Sequence, residues 1–470
     1  MSHQDRLSPN TSGPHAQALL EVFEQLLKHA DFTGLAAPKD GRWSFRGLVM
    51  TALLWVWSDE PTLTARFSVA QSIARKLWNH HVTAAISYQA FLKRLVRWTD
   101  PLLQILKPVL RRSMREAFPT HWRVAGHCVF GVDGSKLELP RTRSHQARFS
   151  AGARRNGASR RRSRQPSRQS QQSRRRKLDS AQLLITTLWH AGTGLPWDWR
   201  LGPAHGSERG QLVEMLSNLP RQSLLTADAG FVGYSLWSEL QGAGHDLLIR
   251  VGSHVRLLKK LGFVREAGNT VYLWPEECRR RLQPPLVLRL VVVQGARHPW
   301  YLVTSVRDRK QLGDREVAEI YRRRWGVEVF YRHFKQTFAR RKLRSHTADH
   351  ALCEAEWSML GLWGMLLRGE RQLWREERIA PWRMSVAGVL RAFRGLLDRV
   401  WWEAGVEGVF EVELSRSVLD EYARQDKRSR GYPQKKYEPP CRPPQLQTAT
   451  SKLRKHSQKI KARIKAGLTA

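Results

Sequence analysis

Residues 314–338 read DREVAEIYRRRWGVEVFYRHFKQTF, and their apolar spacing predicts one long helix. Within the stretch, Tyr321, Arg324, Glu328 and Lys335 form the pattern Y-x2-R-x3-E-x6-K. At ~100° per residue, seven residues advance roughly two turns, so Tyr321, Glu328 and Lys335 fall on one stripe. Arg324, four residues before Glu328, joins that face. A carboxylate flanked by two cations and a phenol suits a metal ion at the acid and phosphate oxygens at its neighbours. The plainer reading is an exposed Arg–Glu pair at i, i+4. Four residue types at fixed spacing are more specific than such a pair.

Upstream, two aspartates stand at or near the ends of predicted buried strands: Asp133 in Cys128-Val-Phe-Gly-Val-Asp-Gly-Ser135, and Asp228 in Leu224-Leu-Thr-Ala-Asp-Ala-Gly-Phe231. Strand ends beside glycine turns are where a sheet offers side chains to a ligand, and an ionised carboxylate is costly to bury there without a cation. Taken singly, each aspartate reads first as a turn cap, a common use of Asp-Gly and Asp-x-Gly.

Charge names the class of partner. Eighty Lys and Arg against 41 Asp and Glu leave +39 over 470 residues, an excess that points to a polyanion, above all nucleic acid. Between Leu139 and Leu178 there are fourteen basic residues and no acidic one, and the tail from Arg424 carries a net +12. With 41% hydrophobic residues the chain has ample apolar content for a globular core. No apolar run approaches the ~18 residues of a membrane span, and no secretory signal is legible at the N-terminus. The four cysteines, Cys128, Cys278, Cys353 and Cys441, form no CxxC pair, which argues against a zinc ribbon or a disulfide scaffold. The histidines, including His80-His81 and His346 with His350, lack a complementary ligand set and read as surface or packing residues.

Together, Asp133, Asp228 and the Y-x2-R-x3-E-x6-K helix resemble the DDE insertion-sequence transposases, in the subgroup named for its Tyr-Arg-Glu-Lys signature. The resemblance runs from about His127 to Met365 and more weakly to Gly431-Tyr-Pro-Gln-Lys-Lys436. The long Arg/Ser/Gln segment after Asp133 departs from the pattern. The resemblance implies an RNase H-like core in which Asp133, Asp228 and Glu328 are catalytic and hold two Mg2+ ions, with Mn2+ possible, ~3.5–4 Å apart on either side of an in-line displacement at phosphorus. Hard oxygen ligands without a Cys or His set agree with Mg2+ or Mn2+ over zinc. It further implies DNA contacts from Tyr321, Arg324 and Lys335, and a base-stacking role for Trp300 and Trp325, with Trp274 a weaker candidate. Core packing is the alternative for these tryptophans.

The expected fold is mixed α/β: an RNase H-like sheet with flanking helices, a strand-rich insertion before the catalytic helix, and an N-terminal helical domain. The expected divisions are a helical DNA end-binding domain over 1–120; a catalytic domain over 121–375, with a basic disordered insertion at 141–177 and a strand-rich insertion at 252–309; C-terminal helices over 376–423; and a basic flexible tail over 424–470. The N-terminal helices are expected to divide at Asp100-Pro101. The implied function is binding of transposon inverted-repeat ends in double-stranded DNA, cleavage, and transfer of the 3′ ends to target DNA. A homodimer would bring two ends together, in the cytoplasm at the nucleoid and with no membrane role. Two alternatives stay open: a non-catalytic DNA-binding derivative, and a nuclease without strand transfer.

Overall fold

The computed structural model describes residues 13–36, 41, 43–150, 181–295, 298–402, 409–419 and 442–467. Its first helices are α1 (Pro14–Leu27), α2 (Phe45–Trp57), α3 (Leu63–Leu77) and α4 (Tyr88–Ala117). Ser44, Thr62 and Ser87 cap the last three by accepting from the Gly47, Ala65 and Ala90 amides. Helix α4 does not divide: it runs through both Pro101 and Pro108. A proline inside a helix costs ~3 kcal/mol. One face of α4 buries Phe91, Leu95, Leu102, Leu106, Leu110 and Met114, at roughly 1.5–3 kcal/mol each, and that burial outweighs both prolines.

A ten-stranded, mostly antiparallel sheet follows. Its strands are β1 (Cys128–Glu138), β2 (Gln182–His190), β3 (Leu195–Pro203), β4 (Ser223–Ala227), β5 (Asp246–Arg250), β6 (Arg256–Lys259), β7 (Thr270–Leu273), β8 (Leu286–Val293), β9 (Trp300–Thr304) and β10 (Gln445–Thr448). Their order across the sheet is β3-β2-β1-β4-β5-β9-β8-β7-β6-β10. Strands β1, β2 and β3 form an antiparallel meander, β1, β4 and β5 run parallel, and β9 joins β5 antiparallel. Strand β1 is longer than the apolar run that announced it. Past Asp133 it continues because β2 pairs with it through Glu138↔Gln182, so Asp133 lies mid-strand rather than at a strand end.

Between the strands lie α5 (Arg143–Phe149), α6 (Glu208–Met215), α7 (Tyr234–Gly242) and α8 (Glu276–Arg280). Helix α5 occupies the start of the segment expected to be disordered. Thr142 caps it, and His145 and Phe149 are buried; residues 151–180 of that segment lie outside the described residues.

The predicted helix over Asp314–Phe338 is not continuous. It divides into α9 (Asp314–Arg323) and α10 (Gly326–Arg332), with a turn at Arg324-Trp325, and ends in a π turn over His333–Thr337. Gly326 gives the physical reason. A Cβ there would overlap the Trp189 ring, 2.8 Å from Cζ3 and nearer still to adjacent atoms. The helix therefore loosens next to the point where bare backbone lies against Trp189 of β2.

The remaining helices are α11 (Ala348–Glu377), α12 (Val386–Trp402), α13 (Phe410–Ser415) and α14 (Ser451–Lys465). Residues of α1–α4, the sheet and α11 belong to one hydrophobic core. Trp57 donates its indole N–H to the Gly361 carbonyl at 2.9 Å, and Arg340 reaches the Val56 carbonyl at 2.7 Å. Asp198 on β3, 1% exposed, binds Lys107 and Arg111 of α4 at 3.0 and 3.1 Å and Arg200 at 3.1 Å.

Residues 442–467 of the tail depart from their expected flexibility, while 424–441 and 468–470 lie outside the described residues. Strand β10 adds parallel to β6, and α14 buries Ser457 and Ile460 while Gln458 donates to the Gly262 carbonyl. Composition hid this because strand addition draws on main-chain hydrogen bonds and needs few apolar side chains.

Candidate active site

The parallel pairing of β1 with β4 runs from Cys128↔Ser223 to Gly131↔Thr226. Carried two residues further, that register sets Asp133 opposite Asp228, on neighbouring chains ~4.8 Å apart where the sheet is paired. Each aspartate also caps locally: Asp133 Oδ1 accepts from the Gly134 amide at 2.9 Å, and Asp228 Oδ1 from the Gly230 amide at 2.7 Å. A carboxylate has two oxygens, so the turn-capping reading and a site role are compatible.

Helix α10 lies across β1. The Tyr331 hydroxyl is 2.9 Å from the Asp133 carbonyl and 3.0 Å from that of Ile185, sharing its proton between strands β1 and β2. This places Glu328, one turn earlier, at the same end of the sheet. Glu328 faces its own helix: Oε1 accepts from Arg324 at 2.8 Å and Oε2 from the Trp325 indole at 2.6 Å.

The electrostatics tie the group together. Burial pushes the Asp133 carboxyl up to about 7; the Asp228 and Glu328 charges push the same way, against the Gly134 amide and Arg324. Burial opposes the Arg324 charge, but Tyr321, Glu328 and Asp133 outweigh it and raise its pKa. Burial also raises the Tyr321 phenol, with Arg324 and Arg250 opposing and Asp228 adding. The guanidinium of Arg324 lies 5.4 Å from the Tyr321 ring centre.

Asp133, Asp228, Tyr321, Arg324 and Glu328 are thus brought together. Lys335 lies further along, in the π turn. Burial and Arg341 lower its pKa, while Glu138 and Asp133 oppose. With Arg341, Lys342, Arg344 and His346 it lines a basic surface cavity of about 560 Å3. Trp300 is half-buried and meets Tyr321 edge-on at 5.8 Å. Trp325 is 58% exposed and lines a second cavity of about 430 Å3 with Trp189, Arg322, Arg323, Trp382 and the buried Glu370. Trp274 is buried, its N–H bound to the Gln283 carbonyl at 2.9 Å.

Sequence reasoning missed Glu208 and Arg250. Burial, with the charge of Asp228, raises the Glu208 carboxyl. The only local signal was its place after Ser207 in a helix's first turn, which reads as an ordinary dipole acid.

The donor set suits a hard divalent cation: oxygen ligands only, with the buried Asp133 carboxylate repelled by Asp228 and Glu328. Among the described residues, however, no three His, Cys, Asp or Glu side chains stand close enough to make a ready metal cluster. Each aspartate spends Oδ1 on a backbone amide and keeps Oδ2 for such an ion. Glu328 must turn from Arg324 and Trp325 to join them, and its 41% exposed side chain has room to do so.

Residues 125–362 match the family model of the transposase DDE domain. The chain belongs to this family, that of the DDE insertion-sequence transposases. Over 174 residues this DDE transposase is 27% identical to "Transposase InsG for insertion sequence element IS4" of Escherichia coli (strain K12). The match covers 35% of this chain and 38% of that protein, well under half its length. A cryo-EM structure of a piggyBac transposase synaptic complex with hairpin DNA aligns over 87% of this chain and 86% of that one, at 11% identity and a TM-score of 0.39.

Proposed function

We propose that this chain binds the inverted-repeat ends of a transposable element, cleaves phosphodiester bonds there and transfers the 3′ ends to target DNA. The observation that carries the reading is the parallel pairing of β1 with β4, whose register continues to Asp133 and Asp228 two residues on, together with the charge of Asp228 acting on Asp133 and Glu328 on the helix laid across β1. The strand order β3-β2-β1-β4-β5 and a carboxylate-bearing helix against β1 support an RNase H-like core. Asp133 and Asp228 would hold the divalent ions, Mg2+ or Mn2+, with Glu328 completing the set. Such ions neutralise charge on both sides of an in-line displacement at phosphorus.

The chain's own residues do the rest. Arg324 stays charged beside the acids, and with Tyr321 it offers a cation and a phenol to a phosphate. Lys335 and the basic cavity around it would grip the neighbouring backbone. Trp300, against Tyr321, and the exposed Trp325, whose indole N–H binds Glu328, would stack on an unpaired base. The N-terminal helices would read the end sequence. Helix α14, with Lys452, Arg454, Lys455, Lys459, Arg463 and Lys465 exposed, would add contacts to phosphate. Two ends must meet, so a homodimer on double-stranded DNA is the working assembly, in the cytoplasm at the nucleoid. Among the described residues no helix is long and apolar enough to cross a membrane.

The test is cleavage and joining of DNA carrying the repeats that flank the coding sequence, with Mg2+, for wild type and Asp228→Ala. Loss of both steps in the variant is expected. Equal behaviour of the two proteins sinks the catalytic reading and leaves a DNA-binding derivative. Cleavage without joining makes the protein a nuclease.

A further inference from the structure

Helix α6 begins beside the residues that follow Asp133 and Asp228. Ser207 caps it by accepting from the Gly210 amide at 3.1 Å, which sets Glu208 in the first turn. Two contacts locate that turn. Arg209 donates to the Gly230 carbonyl at 2.8 Å, fastening it to the loop that follows Asp228. On the other side, Glu208 lies over Gly134, the residue after Asp133. A Cβ added at Gly134 would overlap the Glu208 carboxyl and sit 2.7 Å from its Cγ. Glycine at 134 therefore gives Glu208 its place over the backbone after Asp133, while its neighbour Arg209 is fastened to the loop after Asp228. Lys136 is a cation whose charge offsets it there, and the Asp228 charge opposes it.

A helix-capping acid could sit anywhere around the first turn. This one approaches the bare backbone that follows Asp133, against the charge of Asp228. We propose that Glu208 is a fourth acidic residue of the site, a positioning residue that orients the water shell of a divalent cation held by Asp133 and Asp228. The proposal rests on the reading of those aspartates as cation ligands. Groups that hold a metal's surroundings in place typically change its affinity 10–100-fold when removed.

The test is Mn2+ binding to the full chain without DNA, by calorimetric titration, for wild type, Glu208→Gln and Asp228→Asn, with melting of each in EDTA. Glu208→Gln should weaken Mn2+ binding about tenfold, and Asp228→Asn should abolish it. In EDTA the Glu208→Gln midpoint should stay within about 2 °C of wild type, the most that losing a first-turn acid should cost. Wild-type Mn2+ affinity in Glu208→Gln, with loss in Asp228→Asn, overturns this proposal alone. Weakened binding with a midpoint lowered well beyond 2 °C assigns Glu208 to the fold and also overturns it. Unchanged binding in Asp228→Asn overturns the cation-ligand reading beneath it.

Discussion

Replacing Asp133 with asparagine should stabilise the metal-free protein above neutral pH while removing a catalytic group. The Asp133 carboxyl ionises near 7 in the folded chain, against an ordinary value of 3.8, because burial disfavours its charge and Asp228 and Glu328 repel it. A raised acid takes up a proton on folding. The folded state is therefore favoured below about pH 4, loses stability as pH rises from there through 7, and carries the full penalty above it. About three pH units at 1.36 kcal/mol each give at most ~4 kcal/mol. Asparagine keeps an oxygen for the Gly134 amide and removes the charge. In EDTA at pH 8.5 the variant should melt up to about 4 °C above wild type, and the gap should close towards pH 4. Adding Mg2+ should narrow it from the other side, by relieving the wild-type repulsion. Thermal melts followed by circular dichroism across pH 4–8.5 measure all of this. A variant that melts at or below wild type at pH 8.5, or whose pH profile parallels it, refutes the argument.

Three further outcomes follow from single contacts. Asp198→Ala leaves Lys107, Arg111 and Arg200 around an empty buried site and should lower stability by about 3–5 kcal/mol in chemical denaturation. Gly326→Ala forces α10 away from Trp189; strand cleavage should fall at least tenfold while affinity for end DNA in gel shifts stays near wild type. Trp325→Phe removes the indole N–H that holds Glu328 Oε2. Calorimetric titration should find Mn2+ bound more tightly than by wild type, and unchanged affinity would mean that this contact does not restrain Glu328.

The site was legible where chemistry and local spacing coincide. Arg324 and Glu328 sit four residues apart, and the pair forms at 2.8 Å even though the helix around it is broken. The break itself was hidden, because Gly326 is disfavoured in a helix by only ~1 kcal/mol. What packs against the chain there is Trp189, 137 positions earlier in sequence. The prolines of α4 erred in the opposite direction: a strong local signal for a boundary yielded to a buried face completed by other elements. Local pattern therefore misjudged both stops, each for want of a partner distant in sequence.

Glu208 extends the same point to function. Neighbouring strands bring Asp133 and Asp228 towards each other through a register that apolar runs foreshadow, since each aspartate closes such a run. No such run points at Glu208. Its place depends on Gly134 lacking a side chain and on Arg209 holding Gly230, two contacts that join separate segments and leave no periodic trace. A carboxylate in a helix's first turn is ordinary. It becomes informative only when the backbone opposite has been left bare for it, so the missing Cβ at residue 134 is the better sequence clue to the site than the acid itself.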